Sequence, residues 1–160
     1  MLIIDTCSWL KIRYLENSNI LKIKEIIYES DLWTTHELAK EYEYYLKDYL
    51  DLKHFSIHSV KLEQLEKLID KELDAADLSI IEFGRKNNNA IIISDDGAEL
   101  TVLNLLDLKA FQVSDFLLFL AKQNILKKTD VINSIKQLRN WRNIKEKKKK
   151  KLLEQINLIR

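Results

Sequence analysis

The chain has 160 residues, 46% of them hydrophobic and 32% charged, which suits one domain with a real core and excludes a disordered polymer. One cysteine, two glycines and no proline exclude an internal disulfide, a multi-cysteine zinc site and a glycine-rich phosphate loop. The net charge of +1 hides a division: Ala121 to Arg160 carries 13 Lys and Arg against 3 Asp and Glu, while the first 120 residues carry 13 against 22.

An acidic body with a basic C-terminal arm fits a polyanion ligand whose chemistry needs carboxylates. The competing reading is a lysine-rich helix that is merely solvated. No apolar run reaches the roughly 20 residues needed to span a bilayer. The start of the chain lacks the basic flank and long apolar stretch of a signal peptide, so the expectation is a cytoplasmic protein with no membrane partner.

In chain order, "LIID" (Leu2 to Asp5) predicts a short buried strand ending on an acid. A helical pattern follows from Ser8 to about Leu15, and "ILKIKEIIYES" continues at helical spacing. "LWTT" is a second strand candidate. In "THELAKEYEYYLKDYL", Thr34 and Glu37 have capping-box spacing, which makes Thr34 the expected N-cap of a helix. "HFSIHSV" alternates weakly, as an edge strand or a loop. "VKLEQLEKLIDKEL" predicts a helix with Leu62, Leu65, Leu68 and Ile69 on one face. "LDAADLSIIEFGRK" predicts another, with Asp74 near its start. "AIIIS" is short and apolar enough for a strand buried on both faces. Then come a helix in "GAELTVLNLL", a short strand in "AFQV" and a helix in "SDFLLFLAKQN", capped by Ser114 or Asp115. Two final helices occupy "KTDVINSIKQLRNW" and "KEKKKKKLLEQINLI".

Strands alternating with helices predict an α/β fold, a sandwich around a central, mainly parallel sheet with a helical C-terminal extension. The predicted division is a body over residues 1–140 and a basic helix over 141–160 packed on it. In such sheets ligands bind at the carboxyl ends of the strands, where Asp5, Asp95 and Asp96 all lie. Helix-borne partners come from Glu37 and Glu41, four apart, and from Asp74 and Asp77, three apart. Carboxylates brought together repel, and a hard divalent cation such as Mg²⁺ or Mn²⁺ relieves that repulsion. Each acid has an ordinary structural reading beside this one. Asp5 can cap a helix, Glu37 can be a capping residue, Asp74 an N-cap, and Asp95 can face solvent while Asp96 points inward. Cys7 reads as a small core residue rather than a nucleophile.

The segments "LIIDTCSWL", "WTTHELAKEYEYYL", "LDAADLSIIEFGRKNNNAIIISDDGAEL" and "VSDFLLFLAKQNILKKTDVINSIKQLRNW" resemble successive blocks of the PIN-domain family across roughly the first 140 residues. That family comprises metal-dependent nucleases, including many toxins of VapBC-type toxin–antitoxin pairs. The resemblance implies a PIN-like three-layer sandwich and an endoribonuclease holding one or two Mg²⁺ or Mn²⁺ ions. It implies Asp5, Glu41, Asp77 and Asp96 as catalytic ligands, with Asp95 the less favoured neighbour in "SDD". Thr35, Leu38 and Glu41 fit the family's Thr-x-x-apolar-x-x-Glu pattern. Thr6, Ser8 and Ser94 are the candidate hydroxyls that orient carboxylates or water. Relatives often carry an arginine after the aspartate pair, where Gly97 stands here. The implied partners are RNA, an antitoxin protein if the chain is a toxin, and a second copy, since relatives commonly form dimers. An RNA-processing role is equally compatible.

Five consecutive lysines, Lys147 to Lys151, spread around a helix and favour nonspecific phosphate attraction. Arg139, Arg142, Lys145 and Lys148 or Lys149 are the candidate nucleic-acid contacts along one side. Two other functions share parts of the pattern. A haloacid-dehalogenase-type phosphatase needs a second Asp where Cys7 stands. A catalytically silent RNA- or protein-binding module would keep the fold without turnover.

Overall fold

The computed structural model describes residues 1–62 and 73–159. The chain is α/β. The first strand, β1 (Leu2–Ile4), is followed by α1 (Thr6–Asn17) and a short α2 (Lys24–Tyr28). Then come β2 (Trp33–Thr35), α3 (His36–Tyr45), a 3₁₀ turn at Leu52–His54 and β3 (Ser56–His58). After the undescribed stretch come α4 (Ala75–Lys86), β4 (Ile91–Ile93), α5 (Gly97–Leu105) and β5 (Ala110–Phe111). Three helices finish the chain: α6 (Val113–Lys122), α7 (Lys128–Asn140) and α8 (Glu146–Asn157).

Every strand pair among the described residues is parallel. One sheet runs β1-β4-β5 and a second pairs β2 with β3. A single parallel bridge, Leu2 to Leu32, ties the two together, which gives the spatial order β3-β2-β1-β4-β5. The centre is aliphatic because strands covered by helices on both faces must be. Ile3, Ile4, Ile92 and Ile93 have no exposed surface, and each contributes on the order of 1.5–3 kcal/mol by leaving water.

The register is what positions the site. Leu2, Ile3 and Ile4 face Ile91, Ile92 and Ile93 in turn, so Asp5 emerges beside Ser94. The Asp5 amide donates to the Ile93 carbonyl at 2.9 Å and completes the ladder at that end. Tyr42, fully buried on α3, donates its hydroxyl to the Ile4 carbonyl. The same helix that carries Glu41 therefore fixes the end of β1.

Local differences from expectation have local causes. Only Lys24–Tyr28 of "ILKIKEIIYES" is helical, because the Glu16 carboxylate captures the amides of Ile23 and Lys24 and makes a turn of the preceding residues. Thr35, not Thr34, caps α3: β2 runs one residue further, and Thr35 Oγ1 accepts from the Leu38 amide at 3.1 Å. The capping box belongs instead to Asp74 and Asp77 at α4. The helix α6 starts at Val113 without a side-chain cap, so neither Ser114 nor Asp115 serves there; Asp115 pairs with Lys148 and Ser114 Oγ is buried without a partner. Most of the helix expected in "VKLEQLEKLIDKEL", with Leu65, Leu68 and Ile69, lies outside the described residues. At the end of the chain α8 packs on α6 and α7 and buries Leu152 and Ile156.

Candidate metal centre

Three helices begin at one cavity, and each is capped by an aspartate. Asp5 caps α1, its Oδ1 accepting from the Ser8 amide at 2.5 Å. Asp74 caps α4, with Oδ1 accepting from the amides of Ala76 and Asp77 at 2.9 and 3.0 Å. Asp96 caps α5, with Oδ1 accepting from Ala98 and Glu99 at 2.8 and 2.9 Å. Capping explains why aspartates stand at these positions, and the positive ends of the helix dipoles favour their charge. It does not explain why three capped ends face the same space.

That space is a cavity of about 350 Å³ whose wall includes Asp5, Glu41, Asp74, Asp77 and Asp96. The acids come from β1, α3, α4 and β4, and fixed neighbours hold each in place. Thr6 Oγ1 donates to Glu41 Oε2 at 2.5 Å. Ser94 Oγ donates to Asp5 Oδ2 at 2.8 Å and accepts the Asp96 amide at 3.1 Å, so one hydroxyl spans two of the acids. Asp77 Oδ2 accepts the Asp74 amide at 3.1 Å. Ser79 on α4 meets Thr35 at the start of α3 at 2.5 Å between hydroxyl oxygens, locking together the helices that carry Asp77 and Glu41.

The electrostatics follow from crowding. Asp5 is 4% exposed; burial first, then the charge of Asp95, raise its carboxyl above the usual range against hydrogen bonds from Ser8 and Ser94. Burial raises Glu41 too, with the charges of Asp74 and Asp5 adding to it and the Thr6 hydroxyl opposing. Asp77 is pushed up to about 7 by burial and by Asp74, Asp96 and Glu41.

Glu99 was not singled out from the sequence. It has no exposed surface; among the described residues neither carboxylate oxygen makes a well-formed hydrogen bond, and the Ser94 hydroxyl stands near it. Burial and the charge of Asp5 hold its carboxyl well above the usual range, with Asp77 and Asp96 adding to the effect. The signal was present: Glu99 lies three residues after Asp96, one turn into α5 and on the same face. It was masked because an acid in the first turn of a helix is ordinary.

The other expected residues lie elsewhere. Asp95 turns away from the cavity, toward Lys11 at 3.5 Å and the Val113 amide at 3.2 Å, so Asp96 is the member of the pair that lines it. Ser8 donates its amide to Asp5 at 2.5 Å, and its hydroxyl also reaches Asp95 at 3.4 Å. Glu37 does not line the cavity, and its Oε2 is buried without a partner. Cys7 is exposed at the cavity wall rather than in the core. The crowding of its sulfur, followed by the charge of Asp5, pushes the thiol up to about 11, so it remains protonated at neutral pH.

Of the candidate basic contacts, Arg139 and Lys149 pair with Glu146 at 3.0 and 3.2 Å, and Lys148 pairs with Asp115 at 2.5 Å. Arg142 and Lys145 are exposed with no ion-pair partner among the described residues, and none of the five lines the acidic cavity.

No family model matches the chain, and neither a curated protein nor a solved structure does.

The five acids of the cavity wall offer carboxylate oxygens, the donors that hard divalent cations prefer. The donor chemistry therefore fits Mg²⁺ or Mn²⁺. Among the described residues, no three acids are gathered tightly enough to form a finished coordination cage.

Proposed function

We propose that the chain is a metal-dependent endoribonuclease of PIN type, with a PIN-like three-layer arrangement around its sheet. One observation carries the reading: five carboxylates from positions 5 to 96 line one cavity, and Glu99, one turn beyond the last of them, is fully buried. Structural capping alone does not call for that convergence.

In this reading Asp5, Glu41, Asp77 and Asp96 hold one or two Mg²⁺ or Mn²⁺ ions, with Asp74 beside them in the cavity wall. The ion supplies charge neutralisation at the phosphoryl group and an activated water. The chain's own residues supply position. Ser94 keeps Asp5 and Asp96 at a fixed spacing, and Thr6 holds one oxygen of Glu41 and leaves the other to the cavity. Protons on the raised acids, Asp77 above all, leave when a cation binds, so loading tightens as pH rises through about 7. Water oxygen bonds to phosphorus, the bond to the 3′ oxygen breaks, and the products carry a 5′-phosphate and a 3′-hydroxyl. The choice of RNA over DNA rests on the family resemblance. No helix among the described residues is long and apolar enough to cross a membrane.

The test is Mn²⁺-dependent cleavage of a labelled RNA by the intact chain, compared with Asp5→Asn and Asp96→Asn. Cleavage lost by roughly a hundredfold or more in either variant, with the fold retained, supports the proposal. RNA binding without cleavage under the same conditions would replace it with the silent binding module.

A further inference from the structure

A second, larger cavity of about 630 Å³ adjoins the acidic one, and Cys7 and Leu10 line both. One wall is the outer face of α1, where Leu10, Lys11 and Tyr14 recur at helical spacing. The opposite wall is the turn between α7 and α8, with Trp141 and Asn143. The Lys11–Asp95 ion pair closes the end nearest the strands.

An aromatic pair meets at this cleft. Tyr14 is 53% exposed, and its ring meets that of Trp141 edge-on, with centroids 6.2 Å apart and planes at 73°. Trp9, by contrast, is fully buried in the core. The wall bearing Trp141 is rigidly built. The Trp141 amide donates to Gln137 at 3.0 Å, the Asn143 amide to Leu138 at 2.9 Å, and Ile144 is buried directly after. Arg142, between the two lining residues in sequence, adopts the left-handed conformation (φ 63°) at the corner, and its side chain is exposed.

The exposed ring of Tyr14 and the half-buried ring of Trp141 offer apolar surface on a preformed corner, and Asn17 and Asn143 add amide groups at the rim. An unpaired nucleobase has the matching shape: two π faces and a hydrogen-bonding edge. We infer that this cleft receives one unpaired base of the RNA strand whose phosphate enters the acidic cavity. The base site stands on its own geometry; only the placement of the phosphate rests on the nuclease reading.

The experiment measures fluorescence anisotropy of a short labelled oligouridylate and of an abasic oligomer of the same length. It uses the full chain carrying Asp5→Asn, in which cleavage is silenced. Trp141→Ala and Tyr14→Ala are each expected to weaken binding of the oligouridylate by roughly tenfold. Trp141→Phe, which keeps an aromatic face, largely restores it, and binding of the abasic oligomer does not change. Tyr14 is exposed enough that its truncation leaves the fold intact, so that variant decides the matter if Trp141→Ala unfolds. Unchanged affinities overturn the inference and leave the cleft to a protein partner. Equal losses for both oligomers also overturn it, because only backbone contact would then be at work. Base-dependent binding by an unsubstituted chain that cleaves nothing with Mn²⁺ keeps the base site and removes the nuclease.

Discussion

Thr6 donates its hydroxyl to Glu41 across 35 positions of sequence, and at 2.5 Å this bond is short. It joins the first turn of α1 to the middle of α3, so the acid least constrained by its own backbone is held by a neighbour of Asp5. Thr6→Val keeps the shape and removes the donor. The expected result is a loss of Mn²⁺-supported cleavage by about 10–100-fold, as for other groups that orient ligands, with Thr6→Ser close to the parent. An unimpaired Thr6→Val variant would remove Glu41 from the ligand set.

The crowded acids make stability depend on pH in a definite direction. Asp77 is raised from 3.8 to about 7, so the folded chain binds its proton more tightly than the unfolded chain does. Its contribution is fully present below about pH 4 and is lost as pH rises through about 7. Asp77→Asn removes that titration. Thermal melts from pH 4 to 8 should therefore show the variant gaining on the parent as pH rises, by a few degrees at most because Asp77 is partly solvated. A difference that is flat across the window contradicts the assignment.

The same crowding predicts a response to cations. Mn²⁺ at a hundredfold excess over its dissociation constant adds about 2.7 kcal/mol to a folded state that alone binds it. The melting temperature of the parent should rise on titration, while Asp5→Asn and Asp96→Asn respond much less. Equal rises in all three would point to binding elsewhere.

Tyr42→Phe tests the floor of the site. The change strips the Ile4 carbonyl of its side-chain donor in a fully buried position, which costs about 1–3 kcal/mol. Chemical denaturation should report a lower midpoint with an unchanged slope. A midpoint equal to the parent's would mean that this hydroxyl contributes nothing net to stability.

The basic arm divides into two kinds of residue. Lys148 is engaged with Asp115 and fastens α8 to α6, whereas Arg142 has no ion-pair partner among the described residues. Salt titration of RNA binding separates them. Arg142→Ala should reduce the slope of log affinity against log salt by about 0.7, the value for one contact to single-stranded phosphate. Lys148→Ala should leave that slope alone and lower the melting temperature. The reverse pattern would place the nucleic acid on the other side of α8.

Much of this architecture was legible in the chain because its strands are short aliphatic runs and its helices have clear apolar spacing. "LIID" and "AIIIS" gave strands in place, and their parallel alignment made it expected that Asp5 and Asp96 would be near neighbours. Less legible was anything decided by a neighbour distant in sequence. Nothing local distinguishes Asp95 from Asp96; Lys11 and the Val113 amide draw one of them away. Glu99 looked like a routine first-turn acid until packing buried it. The lysine run does not reveal which members are engaged within the fold; Lys148 pairs with Asp115 and Lys149 with Glu146. Thr34 and Glu37 matched the capping-box spacing, but one more residue of strand moved the cap to Thr35.

The bond from Ser94 to Asp5 crosses 89 positions. During synthesis the ribosome must deliver the whole of β4 before the first acid of the chain acquires this partner, and α5 before Glu99 can be enclosed. A truncated product ending before β4 keeps Asp5, Glu41, Asp74 and Asp77 in its sequence but lacks Asp96 and the Ser94 hydroxyl that spans it and Asp5.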